Sequence, residues 1–298
     1  MLKFIFILSG IIINIICIYS LIILTKNTNK NTIISKYYYD GSQPSFFITG
    51  DKHRNFDDVK NFCKTMNTKS HDVLIILGDA GFNYYGDKRD DKLKKEISEL
   101  NITLFCIHGN KENRPKNIMS YGIRTFCEGK VYYEPKYPNI FFAIDGQIYT
   151  FENKKYIAIG GAHSIDKMVS LEKGKPFWHD EMPDDIIKKD VECSLRNENN
   201  KIYGILSHTC PLYCIPTEMF KSTQQNIEIN KSTRKRKPKN IFKPDIDRST
   251  EIWLDEIEQN TDYNVWFCGH YHIDKQIDKI QMMYHDIRPL HMQLFGDK

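Results

Sequence analysis

Residues Thr103 to Pro115 read TLFCIHGNKENRP. An apolar run, Thr103 to Ile107, passes without a spacer into His108, Gly109, Asn110, Lys111, Glu112, Asn113 and Arg114. The run has the length and aromatic content of a buried strand. A polar burst at the carboxyl end of a strand is where open α/β sheets bind ligands. A solvated turn looks the same in isolation, so the segment gains meaning only if other strands end in the same way.

Several do. Upstream, SFFIT (45–49) leads into GDKHRN and a helical stretch from Phe56 to Met66, and DVLIIL (72–77) leads into GDAGFNYYGD and a Lys- and Glu-rich helix, Lys88 to Leu100. Three successive βα units imply a parallel sheet with its loops gathered at one edge. Downstream the runs KVYYE, NIFFAID, QIYTFE and KYIAIGG are short and split by turn residues, which predicts a meander of antiparallel strands. A helical segment over Asp184 to Leu195 precedes KIYGILSHTCP, another strand with a polar end. After the charged loop Lys231 to Lys243 comes STEIWLDEIEQ, a helix with Ser249 and Thr250 as candidate N-caps. NVWFCGHYHID closes the series.

The 298 residues suffice for one large α/β domain with a sizeable core. A net charge of +4, from 42 basic and 38 acidic side chains, gives no global field favouring a polyanionic partner. Cys17 lies in an apolar run, and the remaining seven cysteines form no CxxC pair, which argues against a disulfide framework or a Cys₄ zinc site and favours a reducing compartment. Phe4 to Leu24 carries no charge over 21 residues, enough helix to span about 30 Å of hydrocarbon. It exceeds a usual signal-peptide core and lacks a small-x-small cleavage site, so an uncleaved anchor is favoured over a signal peptide. Lys26, Lys30 and Lys36 outnumber Lys3 across it and lean toward a cytoplasmic catalytic domain on a single-pass membrane protein. The expected organisation is an anchor over 1–25, a polar linker over 26–44 and a catalytic domain over 45–298.

The strand ends carry one kind of side chain. Asp51 and His53 follow the first strand, Asp79 the second, Asn110 the third, His208 a later one, and His270 and His272 the last. Two carboxylates, one amide oxygen and four imidazoles suit two adjacent divalent cations of the manganese, iron or zinc type; calcium prefers all-oxygen shells. In extended chain, residues two apart face the same side, so Asp-x-His and His-x-His each aim two ligands at one place. A carboxylate on a tight turn such as Gly78-Asp79 can bridge two ions. Two metals about 3.5–4 Å apart clamp the attacking and leaving oxygens of a phosphoryl transfer.

The series GDKH, GDAG, GNKEN, SHTCP and CGHYH resembles the calcineurin-like metallophosphoesterases, whose boxes read D-x-H, G-D, G-N-H-[D/E], H and G-H-x-H. The resemblance covers Ser45 to His285, and IGGAHSIDK and STEIWLDEIEQNTDYNVWFCGHYHIDK look like a bacterial and phage-type branch. It implies an α/β fold, a four-layer sandwich of two mixed β-sheets flanked by helices, here preceded by the N-terminal transmembrane helix. By position, Asp51, His53 and His272 would hold one metal, Asn110, His208 and His270 the other, and Asp79 would bridge. The implied reaction is hydrolysis of a phosphomonoester or phosphodiester by in-line attack of a metal-bridging hydroxide.

One position departs from the pattern. After Asn110 the family's usual His, which protonates the leaving group and contacts phosphate, is replaced by Lys111. An ammonium can hold a phosphate oxygen as a point charge but is a poor proton donor near neutrality. Glu112, which resembles an orienter of that His, would pair with Lys111 instead. Arg54 and Arg114 flank ligand boxes and could take substrate phosphate bidentately. Ser164 and Asp166, in GGAHSIDK, would support the ligands from behind, whereas His71, His163, His179, His285 and His291 match no box and read as structural. Two weaker functions stand beside the hydrolase. A nuclease of the same superfamily would use RKRKPKN (234–240) to track a nucleic-acid backbone, and a membrane-tethered metal-binding scaffold would turn over little.

Overall fold

The computed structural model describes residues 43–164, 172, 174–216 and 246–291. These lie within the compact unit Ile34–Lys298, whereas the other unit, Met1–Ile33, lies outside the described residues. The apolar run Phe4–Leu24, Asp166 and the basic stretch 234–240 therefore also lie outside them. Among the described residues no helix is long and apolar enough to cross a membrane.

The opening strand is β3 (Thr103–Cys106), buried at every position. It sits between β2 (Val73–Ile76) and β6 (Ile140–Ala143), parallel to both, and β2 is parallel to β1 (Phe46–Thr49). Strands buried on both faces carry continuous apolar runs, which is why VLII and TLFC show no alternation. Antiparallel strands finish this first sheet: β4 (Gly122–Phe126) and β5 (Gly129–Tyr133) beyond β6, and β13 (Arg288–Pro289) beside β1. The order is β13-β1-β2-β3-β6-β5-β4.

The second sheet has six strands in the order β11-β12-β10-β9-β8-β7. Its parallel centre is β8 (Lys154–Ile159), β9 (Lys201–Ser207), β10 (Asp262–Cys268) and β12 (Ile280–Met282). β7 (Ile148–Phe151) and β11 (Lys275–Ile277) are its antiparallel edges. The expected single meander is thus corrected. β5–β6 form an antiparallel pair in the first sheet and β7–β8 another in the second, and the chain changes sheets at the Asp145-Gly146 turn. Local turn signals reveal that strands alternate with turns, not which partner each run finds.

Three apolar clusters separate the layers. Between the sheets lie Ile75, Phe105 and Phe141 from the first, against Tyr149, Leu206 and Phe267 from the second. The alternate residues Leu74, Ile76 and Leu104 face outward, packing with Val59, Phe62 and Cys63 of α1 (Asp57–Met66) and Ile97 of α2 (Lys88–Ser98). On the far side Ile205, Trp266 and Cys268 pack with Val191 and Leu195 of α3 (Asp185–Asn197) and Trp253, Leu254 and Ile257 of α4 (Ser249–Asn260). Spacings of three and four turn one apolar face of each helix to its sheet. Among the described residues the fold is α/β with two mixed sheets and four α-helices.

Helix starts follow capping chemistry. Asp87 accepts the Arg89 N–H ahead of α2, and Asp184 the Ile187 N–H ahead of α3. For α4 the expected caps are corrected: Ser249 and Thr250 are already helical, and Asp247 Oδ1 accepts the Ser249 N–H at 2.8 Å. Cys63, Cys106, Cys210, Cys214 and Cys268 are free thiols that pack as buried small hydrophobes, whereas Cys127 is half-buried and Cys193 exposed.

Candidate metal centre

The carboxyl ends of β1, β2, β3, β9 and β10 converge, and their loops are stitched by main-chain bonds. The N–H of His53 donates to Asp79 O at 2.7 Å, and that of Gly269 to His208 O at 2.9 Å. Four candidate ligands, His53, Asp79, His270 and His272, have φ between 44° and 69°. Non-glycine residues in this left-handed region are strained by about 1–3 kcal/mol each and persist where the surroundings over-determine them. The glycines beside them are required by close approach. At Gly78, with φ of 99°, a Cβ would lie 2.0 Å from His208 Nδ1, and at Gly109 it would lie 2.0 Å from Asp79 Oδ1.

Two groups of ligand atoms result. In the outer group Asp51 Oδ2 is 3.5 Å from His53 Nε2 and 3.3 Å from His272 Nε2, and the two nitrogens are 2.8 Å apart. In the inner group Asn110 Oδ1 lies 2.7 Å from His208 Nε2 and 3.1 Å from His270 Nδ1. Neighbouring ligands on one cation, each about 2.0–2.2 Å from it, are about 3–3.5 Å apart; the Asp51–His53, Asp51–His272 and Asn110–His270 pairs have that spacing, while the His53–His272 and Asn110–His208 pairs lie at hydrogen-bond distance. Asp79 Oδ2 lies between them, 3.9 Å from both His53 Nδ1 and His208 Nε2. Asp51 reaches both groups, since a carboxylate oxygen of it also gathers with one of Asp79 and a ring nitrogen of His208.

The neighbours fix these orientations. His208 Nδ1 meets the Leu77 carbonyl at 2.8 Å, which turns Nε2 toward the centre. Asn110 Nδ2 donates to Ser164 Oγ at 2.7 Å, leaving Oδ1 for the imidazoles. Asp51 Oδ1 accepts the His270 N–H at 2.8 Å, and Asp79 Oδ1 the Lys111 N–H at 2.7 Å. Ser164 therefore stands behind the candidate ligand Asn110. Tyr284, which stacks on His272 with centroids 4.6 Å apart, has no sequence signal, because it returns to the site only through the β11–β12 hairpin.

The site has the charge of a cation cradle. Asp51 Oδ2 is buried without a hydrogen-bond partner. Burial opposes its ionisation, but the imidazoles of His208, His272 and His53 outweigh that and hold Asp51 well below the usual carboxylate range. Burial, with Asp51 adding repulsion, raises Asp79. Burial, followed by His208, holds His270 well below its usual value, in the neutral form that ligates metals. Two buried carboxylates, one with an orphan oxygen, and a set of imidazoles that includes the neutral His270 fit divalent cations with mixed N/O ligands.

The remaining residues singled out in the sequence fall elsewhere. Glu112 is wholly buried and accepts the Gly81 N–H at 3.0 Å; burial first, then Asp79, pushes its carboxyl up to about 8. Arg54 donates to Gly81 O at 2.7 Å, Asp90 at 2.5 Å and Arg89 O at 3.0 Å, clasping the loop before α2. Arg114, 4% exposed, is held by the Asp145 carboxylate and by Asp180 O at 2.8 Å. Both arginines expected to take substrate phosphate are thus engaged by carboxylates and carbonyls of the fold, while Arg114 Nη2 is buried without a hydrogen-bond partner among the described residues. A guanidinium beside a ligand box in sequence can be recruited by carboxylates that only the fold brings near.

The α/β frame thus gathers carboxylates, an amide and imidazoles into two adjoining groups of candidate metal ligands at its loop edge. The chain belongs to the calcineurin-like phosphoesterase family, whose model matches residues 44–274. No curated protein matches it. Among solved structures, the phosphopantetheinyl hydrolase from Mycobacterium tuberculosis aligns with 10% identity and a TM-score of 0.40, covering 87% of this chain and 99% of that one.

Proposed function

We infer that the chain hydrolyses a phosphomonoester or phosphodiester at a centre of two divalent cations. In this reading Asp51, His53 and His272 hold one cation, Asn110, His208 and His270 the other, and Asp79 lies across both. The observation that carries it is the pair of ligand groups joined by buried carboxylates. When bound, the cations supply an activated water and neutralise charge on the transferring phosphoryl group. Asp51 and Asp79 balance that positive charge. Lys111, whose own N–H orients Asp79, stands next to Asn110 and contributes an ammonium as a point charge for a phosphate oxygen. Glu112 works from beneath, holding the Gly81 turn in place. The N/O ligand set suits manganese, iron or zinc. The apolar run Phe4–Leu24 supports tethering at a membrane, with the catalytic domain on the cytoplasmic side.

The test is metal analysis of the purified full chain in detergent, alongside hydrolysis of p-nitrophenyl and bis-p-nitrophenyl phosphate with added manganese. Two metals per chain, with turnover that Asp79→Asn removes, is the expected result. Two metals without turnover on any ester would replace the hydrolase by the scaffold.

A further inference from the structure

We propose that Tyr284 is a substrate-binding residue of this centre, its phenol hydroxyl donating a hydrogen bond to an oxygen of the substrate's phosphoryl group. The inference rests on the dimetal phosphoesterase reading above and goes beyond it by giving a phosphoryl contact to a residue that stands in none of the ligand boxes.

The fold wedges the main chain of Tyr284 between two ligand loops. β12 lies parallel to β10 with Met282 opposite Cys268, and the Met283 N–H donates to Cys268 O at 2.8 Å, so the chain leaves the sheet beside the strand that ends in His270 and His272. It then turns on Asp274, two residues past His272. Asp274 Oδ1 accepts the Tyr284 N–H at 2.8 Å and Oδ2 the His285 N–H at 3.0 Å. The residues flanking Asp51 close the other side. A Cβ at Gly50 would lie 1.9 Å from Met283 O and 2.8 Å from Tyr284 Cα, and Lys52 Nζ meets Tyr284 O at 3.5 Å.

The ring is placed as firmly as the main chain. It lies within 13° of the plane of the His272 imidazole, with centroids 4.6 Å apart. A side chain ordered in advance loses little entropy on binding a ligand. Its hydroxyl, by contrast, is uncommitted: Tyr284 is half-buried, and the phenol oxygen is neither sealed in the protein nor hydrogen-bonded among the described residues. The adjoining imidazoles, His272 at 41% and His53 at 36% side-chain exposure, form the open side of the centre. A phosphate ester meets the ligands from there.

The chemistry of the hydroxyl suits a phosphoryl oxygen. Arg54 and Arg114 are committed to Asp90 and Asp145. A phenol donates without adding charge to a site already built for two cations, and a hydrogen bond to a charged acceptor is stronger than one between neutral groups. A tyrosine that only shielded His272 would need its ring alone. Tyr284→Phe separates the two roles, because it keeps the stack and removes the donor.

The experiment compares wild type and Tyr284→Phe as full chains in detergent loaded with Mn²⁺. Inorganic phosphate binding is measured by isothermal titration calorimetry, KM for p-nitrophenyl phosphate by steady-state kinetics, and manganese per chain by mass spectrometry. The dissociation constant for phosphate and KM should both rise about tenfold or more, with manganese content and the urea unfolding midpoint unchanged. Phosphate affinity equal to wild type would overturn the inference, even with a raised KM, since the hydroxyl would then touch the leaving group. A loss of affinity accompanied by loss of manganese would overturn it too, making Tyr284 a support of His272. In either case wild type still holds two metals and the dimetal reading stands. A wild-type chain that binds no manganese, iron or zinc would overturn both.

Discussion

The two sheets bring different chemistry to the same edge. The first delivers both carboxylates and the amide, from Asp51, Asp79 and Asn110, with a single imidazole, His53. The second delivers only imidazoles, His208, His270 and His272. Neither has a complete shell: the outer group joins Asp51 and His53 of one to His272 of the other, and the inner group joins Asn110 to His208 and His270. The centre is therefore a property of the packed sandwich, created where two half-sites are pressed together across the Phe105–Tyr149–Phe267 core.

Removing the charge that joins the halves should have the largest effect. Asp79→Asn keeps the shape of the turn but takes away the carboxylate between His53 and His208. The expected loss of hydrolysis exceeds about a thousandfold, roughly 4 kcal/mol of barrier, checked by steady-state kinetics with manganese in excess. An unchanged rate would mean the two groups do not share this carboxylate.

Next comes separation of the sheets themselves. Phe267→Ala removes a ring 1% exposed from the inter-sheet core. A cost of about 3–5 kcal/mol is expected in urea unfolding. Both metal sites should weaken together, because each straddles the interface. Loss of only one ion would break the half-site comparison.

Arg114→Ala sharpens the boundary between the centre and its scaffolding. Truncation leaves Asp145 buried without its cation, for which about 3 kcal/mol of destabilisation is expected. KM for a small phosphate ester should stay within about twofold below the melting transition, since the guanidinium is committed inside the fold. A raised KM with unchanged stability would return Arg114 to substrate binding.

The sequence makes the ligands legible for a physical reason. A parallel strand needs an uninterrupted apolar run, so its end is marked by the first polar residue, and ligands belong at that end. The candidate ligands Asp51, Asp79, Asn110, His208 and His270 could all be located that way, as could the first two βα units; the expected third is corrected, since β3 is followed by the 3-10 turn Pro115–Asn117 and then β4. What escaped depends on partners distant in sequence. Arg54 and Arg114 look alike until Asp90 and Asp145 are brought to them. β4 and β11 to β13 are short or edge strands without a strong period. Glu251 reads as an ordinary first-turn acid of α4, although it is fully buried beneath both imidazole loops.

Lys111 is where the two sheets' contributions can be compared by chemistry alone. It follows Asn110 on the first sheet's side, and its N–H already orients Asp79, so a side-chain exchange there leaves the main-chain contact in place. A lysine side chain offers charge to a phosphate oxygen but is a weaker general acid than an imidazolium. A leaving group that departs as a stable phenolate needs no proton, whereas an alkoxide does. Lys111→His should therefore speed hydrolysis of an alkyl phosphate relative to p-nitrophenyl phosphate, by up to about a hundredfold, and flatten the dependence of rate on leaving-group pKa. If the slope is unchanged, proton delivery comes from elsewhere in the site, and the histidines contributed by the second sheet become the groups to test.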